Sequence, residues 1–145
     1  MEKRGVTLIE LLVVIGISII LLSLGTIGFS YLKANYELVN ATNELFADFE
    51  WIRQKSIGSP HRFGIKFSSN SYKVFEDRND NGKDDTGEEL KIKTYKHINL
   101  SGYPAPGIVL YDRKGTANNS FTITLTHKNG KAKQITISLF RVEIR

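Results

Sequence analysis

The N-terminal segment restricts the fold of this chain more than any other part of it. Between Val6 and Leu32 nearly every residue is apolar or small, and the one charged side chain is Glu10. The 22 residues from Leu11 to Leu32 are uncharged, about the length that a helix needs to cross ~30 Å of hydrocarbon. Lys3 and Arg4 precede them, and basic residues favour the cytoplasmic side. We therefore predict a transmembrane helix at residues 6–32, with everything after it in the periplasm or the exterior.

A cleaved secretory signal is the alternative interpretation of the same residues. Lys3 and Arg4 would form its basic region, and Leu11–Leu24 its apolar region. No A-x-A-like cleavage site closes that apolar region, and the helical pattern continues past it. Both points favour the membrane anchor.

The helical pattern becomes amphipathic after Lys33. Apolar residues recur at steps of three and four, the spacing of one helix face, at Leu38, Ala41, Leu45, Phe49 and Ile52. Gly58-Ser59-Pro60 is a stop signal. We predict one helix from about Val6 to Ile57, whose second half, at residues 33–58, has an apolar face that needs a partner.

Short strands are predicted for residues 59–145. FGIKF and YKVFE flank a polar turn, and FTITLTH and KQITISLF flank Asn129-Gly130, the strongest type of short hairpin signal. LKIKTY, INLSGY and GIVLYD are further candidates. Alternation gives FTITLTH and KQITISLF one buried face each. The first face is formed by Phe121, Ile123 and Leu125, and the second by Ile135, Ile137 and Leu139. The predicted fold class is α+β, a long N-terminal helix packed against a C-terminal antiparallel β-sheet domain.

Composition excludes several kinds of site. The 145 residues suffice for one domain with a modest core. The chain has no cysteine, which excludes disulfides, thiolate zinc sites and cysteine nucleophiles. His61, His97 and His127 show no metal-ligand spacing, and no nucleophile elbow, phosphate loop or dinucleotide fingerprint is present. We expect no enzymatic activity.

An acidic loop matches a calcium-binding pattern. Its residues Asp77, Asn79, Asn81, Gly82 and Glu88 satisfy D-x-[DN]-x-[DN]-G-x5-E. Oxygen ligands at alternating positions would converge on Ca²⁺, with Asp85 reaching the ion through water and Glu88 closing the shell. The flanking segments are predicted strands, unlike the helices of an EF-hand. The alternative is a polar turn that joins two strands without an ion.

Basic residues cluster in sequence near the C-terminus. They are Lys128, Lys131, Lys133, Arg141 and Arg145, in a chain of net charge +5. A solvated hairpin is the simplest interpretation. The functional alternative is a DNA-contacting surface that neutralises phosphates, although few aromatic residues are interleaved to stack bases.

The opening residues resemble a known class of signal. KRG followed by VTLIELLVVIGI is similar to the class III signal of type IV pilins and pseudopilins. The resemblance implies that a prepilin peptidase removes residues 1–5, cutting after Gly5 and methylating the new N-terminus at Val6. It also places Glu10 at the family's characteristic acidic position.

Other segments resemble one branch of that superfamily, the GspH/FimT-type minor pseudopilins. WIRQKSI is similar to the end of their first helix, DRNDNGKDDTGEEL to a polar loop and ITISLFRVEIR to their terminal strand. The resemblance implies a pilin-like fold, storage in the bacterial inner membrane and assembly with other pilins on an inner-membrane platform. It implies a minor subunit of a type II secretion pseudopilus. The alternative is a minor pilin of a type IV pilus, involved in pilus assembly or DNA uptake.

Glu10 acquires a role in this interpretation. An ionised carboxylate within hydrocarbon costs about 2.5–3.5 kcal/mol on insertion scales. Cleavage after Gly5 creates a positive amine at Val6, and pairing with the Glu10 of a neighbouring subunit would offset the burial of both charges. The simpler alternative is that Glu10 lies near the lipid headgroups and stays solvated.

Overall fold

One long helix precedes eight short strands. The computed structural model describes residues 5–139 and 141–144, and for residues 24–31 it describes the backbone alone. Within these residues the elements are α1 (Leu8–Ser56), β1 (Arg62–Ser68), β2 (Ser71–Asp77), β3 (Glu89–Thr94), β4 (Ile98–Ser101), β5 (Ile108–Tyr111), β6 (Phe121–His127), β7 (Ala132–Ser138) and β8 (Arg141–Ile144). The predicted helix and the seven predicted strand segments are all present.

The chain divides into two units, Met1–Asn35 and Tyr36–Arg145. In the first unit, the large apolar side chains from Val6 to Leu22 are between 52 % and 78 % exposed. Among the described residues, no helical segment is both long and apolar enough to cross a membrane. Residues 1–4 of the predicted leader lie outside the described part of the chain.

The second unit contains two antiparallel sheets where the sequence predicted one. Their strand orders are β3-β2-β1-β5 and β4-β6-β7-β8. The chain changes sheet after β4, in a segment that contains Pro104 and Pro106, and proline has no N–H to donate to a ladder. Ile98 of β4 faces His127 of β6, whereas Tyr111 of β5 faces Phe63 of β1.

The apolar face of α1 lies against both sheets. The five predicted residues of that face are at most 4 % exposed. Phe49 is fully buried, and its ring lies 6.0 Å from that of Phe67 in β1 and 6.4 Å from that of Phe121 in β6. The helix therefore forms the shared core of the two sheets, as the periodicity indicated.

The C-terminal segment differs from its prediction. ITISLFRVEIR was expected to be one strand, but β7 ends at Ser138 and β8 pairs back against it, with Ser138 facing Arg141. Ile135 and Ile137 are fully buried, whereas Leu139 is 41 % exposed because it lies in the turn. The sequence pattern continues past the turn because Leu139 and Phe140 are apolar, and Phe140 itself lies outside the described residues.

Candidate functional site

Asp77 anchors the acidic loop between β2 and β3. Its side chain is fully buried, and Oδ1 accepts the backbone N–H of Asn81 at 3.0 Å. Oδ2 accepts the backbone N–H of Gly82 at 2.9 Å and Nη2 of Arg62 at 2.8 Å. Both carboxylate oxygens are therefore satisfied by protein donors, one of them a cation.

The other predicted ligands also contact one another within the loop. Asp85 Oδ2 accepts the side-chain amides of Asn79 at 2.8 Å and Asn81 at 2.7 Å, and these bonds hold the pKa of Asp85 below its usual value. Glu88 Oε1 accepts the backbone N–H of Arg78, and Oε2 that of Asp85. The structure thus brings all five predicted residues into one loop, in a hydrogen-bonded turn. Calcium binding there stays a prediction.

Two arginines near this loop were not singled out from the sequence. Arg62 Nε lies 3.1 Å from Asp80 Oδ1, and Arg113 Nη2 lies 3.1 Å from Asp80 Oδ2. Asp80 is the one non-glycine residue with a positive φ among those described, at 56°. Arg62 and Arg113 are 51 positions apart in the chain, so no local pattern marks them as neighbours.

The N-terminus of α1 carries a capping arrangement. Gly5 and Val6 are exposed and precede the helix. The Thr7 backbone N–H donates to Glu10 Oε2 at 3.5 Å, and the Glu10 backbone N–H donates to Thr7 Oγ1 at 3.4 Å. These reciprocal contacts have the pattern of a capping box, but both are longer than the usual range of about 2.7–3.2 Å, so the box is weak. Its T-x-x-E signature is visible in the sequence, so Glu10 has a structural role in the single chain as well as the predicted role in assembly.

Among the described basic residues, Arg141 lies apart from the three lysines. Lys128 and Lys131 lie at the β6–β7 turn, and Lys133 lies one residue into β7. Arg141 faces Ser138 at the opposite end of β7, about 17 Å away along the strand at 3.3–3.4 Å per residue, and pairs with Glu143 at 2.9 Å. Arg145 lies outside the described residues.

A row of acidic side chains on α1 faces the sheets. Glu44 Oε2 lies 2.7 Å from Lys93 Nζ, and Asp48 Oδ2 lies 2.8 Å from Lys91 Nζ. Asp48 also accepts the hydroxyl of Tyr72 at 2.6 Å. Burial, together with this bond to a carboxylate, raises the pKa of Tyr72 well above its usual value.

His97 and His127 both contact Glu37, the first acidic residue of this row. The sequence shows no metal-ligand spacing among the histidines, yet the fold places Glu37 Oε2 3.0 Å from His97 Nδ1 and 3.3 Å from His127 Nε2. The β4–β6 register explains the contact, since Ile98, next to His97, faces His127. Three elements supply the three residues, so sequence spacing gives no signal.

This chain resembles known proteins in both sequence and structure. A sequence model of the family described as "Type II transport protein GspH" matches residues 41–140. No curated protein sequence matches the chain. The minor pseudopilin EpsH from the Type 2 Secretion System of Vibrio cholerae has a similar structure, with TM-score 0.59 and 15 % identity, over 75 % of this chain and 96 % of that one. The type IV minor pilin FimU of Pseudomonas aeruginosa has TM-score 0.58 and 16 % identity, over 74 % of this chain and 92 % of that one. At these identities the likeness establishes a shared fold.

Proposed function

Because the chain belongs to the GspH family of type II transport proteins, we propose that it is a minor pseudopilin that assembles into a type II secretion pseudopilus. The family match, over residues 41–140, is the observation that carries this proposal. The pilin-like fold, a long helix on antiparallel sheets, supports it. The role is mechanical: the chain packs with other pseudopilins and takes part in moving proteins across the outer membrane.

In this proposal the N-terminal segment serves in three successive steps. A prepilin peptidase removes residues 1–5 and methylates Val6, the apolar residues to Leu32 hold the subunit in the inner membrane, and the assembly platform then moves it into the filament. The exposed apolar side chains from Val6 to Leu22 support an environment of lipid or of neighbouring helices. The Val6 amine of one subunit then meets the Glu10 carboxylate of another.

Intact mass spectrometry tests the processing step. The chain purified from membranes should lack residues 1–5 and carry the mass of one additional methyl group. A chain that keeps its first five residues contradicts the proposed processing, and a chain that is cut beyond Leu24 contradicts the proposed anchor.

Deletion of the gene tests the function. Exported proteins should accumulate in the periplasm and disappear from the culture supernatant, while surface pili remain. A plasmid copy of the wild-type chain should restore secretion. Normal secretion in the deletion strain contradicts the proposal.

A minor pilin of a type IV pilus is the second candidate. The structural similarity to FimU is as close as that to EpsH, with TM-scores of 0.58 and 0.59. This observation supports a type IV minor pilin as the second candidate. Loss of surface pili or of DNA uptake with intact secretion would select it. If this pilin binds DNA, the basic residues near the β6–β7 turn should contact the phosphates. Salt-dependent gel shifts that are unchanged by Lys128→Ala and Lys133→Ala would contradict DNA binding by these residues.

A further inference from the structure

Glu37, His97 and His127 form a cluster with the composition of a metal site. Glu37 lies on α1, His97 immediately precedes β4 and His127 ends β6. One ligand atom of each lies within 4.8 Å of the other two. We propose that this cluster binds one zinc ion, which ties the helix to the second sheet.

The distances are close to those that a tetrahedral ion imposes. Zinc binds imidazole nitrogen and carboxylate oxygen at about 2.0–2.2 Å, so two ligands at the tetrahedral angle lie about 3.3–3.6 Å apart. Glu37 Oε2 lies 3.3 Å from His127 Nε2 and 3.0 Å from His97 Nδ1. Small side-chain movements therefore suffice to admit the ion.

The donor set and its surroundings favour zinc. Two imidazoles and one carboxylate make a three-ligand site of the open type, in which water takes the fourth position. Imidazole nitrogen is a common ligand of zinc, whereas calcium and magnesium prefer oxygen ligands. Glu37 and His97 border a solvent-accessible cavity of about 380 Å³, whose other lining residues include Asn40, Glu44, Lys93 and Lys96. His127 lies at the inner side, with its side chain only 10 % exposed.

Zinc would replace the two hydrogen bonds between Glu37 and the imidazoles, and it would also cost one bond of the backbone. The backbone N–H of Asn129 donates to His127 Nδ1 at 3.2 Å, so the proton of the neutral ring lies on Nε2, which faces Glu37. Zinc at Nε2 would move that proton to Nδ1, and the Asn129 amide would lose its acceptor. Asn129 is exposed at the β6–β7 turn, where water can replace the lost bond.

Thermal unfolding of the full chain in detergent tests the site. ZnCl₂ at a hundredfold excess over its dissociation constant should raise the melting temperature by on the order of 10 °C relative to EDTA, and elemental analysis should give one zinc per chain. His97→Gln should abolish the rise, and its folding is expected because the native ring is 37 % exposed. His61→Gln, which changes the third histidine, is the matched control and should keep the full rise. The absence of a zinc-dependent rise, or its persistence in a His97→Gln/His127→Gln double variant, overturns the proposal.

Nuclear magnetic resonance locates the ion independently of stability. Zinc should shift the ring nitrogen signals of His97 and His127 and the amide signal of Asn129 in the wild-type chain, and should leave the Asn129 signal of His97→Gln unchanged. A rise in melting temperature without these shifts places the ion elsewhere and also overturns the proposal.

Discussion

At the scale of single residues, Asp77 holds the β2–β3 loop together through its buried carboxylate. It is buried, carries a formal charge and accepts three hydrogen bonds, from Arg62 and from the backbone of Asn81 and Gly82. Removing a buried partner leaves the remaining donors without an acceptor, which costs more than the bonds themselves contribute. The β2–β3 loop therefore depends on this carboxylate whether or not an ion binds there.

Asp77→Ala should lower the free energy of unfolding by about 2–4 kcal/mol, measured by urea unfolding. Asp80→Asn is the matched control, because Asp80 contacts the same Arg62 but its side chain is 45 % exposed, exposed ion pairs contribute about 0–1 kcal/mol, and asparagine tolerates the positive φ at this position. Equal effects of the two substitutions would contradict this account of the loop.

The sequence predicted individual residues unevenly. The apolar face of α1 was predicted residue by residue, because periodicity reports burial on a helix directly. The contact of Glu37 with His97 and His127 could not be predicted, since it depends on the register of β4 against β6 and on how the helix packs across them. Thr7, three residues before Glu10, marks a capping box in the sequence. The surrounding apolar residues instead directed the prediction for Glu10 towards the membrane and assembly.

At the scale of elements, ion pairs join α1 to β3. Glu44 contacts Lys91 at 3.2 Å and Lys93 at 2.7 Å. Burial alone would raise the pKa of Glu44, but hydrogen bonds from Lys93 and Lys91 outweigh it and hold that pKa below its usual value of 4.5. A carboxyl whose pKa is lower in the folded state stabilises the fold above its unfolded pKa, and this contribution is lost as the pH falls through the folded pKa.

The free energy of unfolding should therefore decrease as the pH falls below about 4.5, and Glu44→Gln should reduce that slope. Urea unfolding from neutral to strongly acidic pH measures it. Glu50→Gln, which removes a carboxyl paired with Arg53 within the helix, is the control. A Glu44→Gln profile parallel to that of the wild-type chain would contradict the assignment.

The β2–β3 loop gives a separate prediction about calcium. Titration calorimetry with millimolar calcium should detect one site, because five oxygen-bearing side chains lie in one short loop. Asp85→Asn should weaken binding because it removes a ligand charge from an exposed position, while Asp112→Asn, outside the loop, should have no effect. The absence of heat with the wild-type chain would end the prediction and leave the loop as a polar turn.

The strands were predicted better than their arrangement. Local alternation and the Asn129-Gly130 turn define β6 and β7, because hairpin contacts are close in sequence. The division into two sheets depends on β5 returning to β1, across more than forty residues, and alternation contains no information about such a pairing. The separate strand β8 was missed for a local reason, since Leu139, in the turn after Ser138, is apolar.

At the scale of the whole molecule, Glu10 has a role in the single chain and a proposed second role in the filament. In the single chain it caps α1 with Thr7. In the proposed filament its charge pairs with the Val6 amine of a neighbouring subunit. Glutamine can replace glutamate in a capping box but carries no charge, so one substitution separates the two functions.

The most direct test is the incorporation of Glu10→Gln into pseudopili, measured by immunoblotting sheared filaments and membranes from the same cells. Glu10→Gln should be processed and stored in the membrane normally, but it should be depleted from filaments as strongly as Glu10→Leu. Thr7→Val, which removes the capping hydroxyl and keeps the charge, should be incorporated like the wild-type chain. Normal incorporation of Glu10→Gln would contradict the charge pairing and leave Glu10 with its capping role alone.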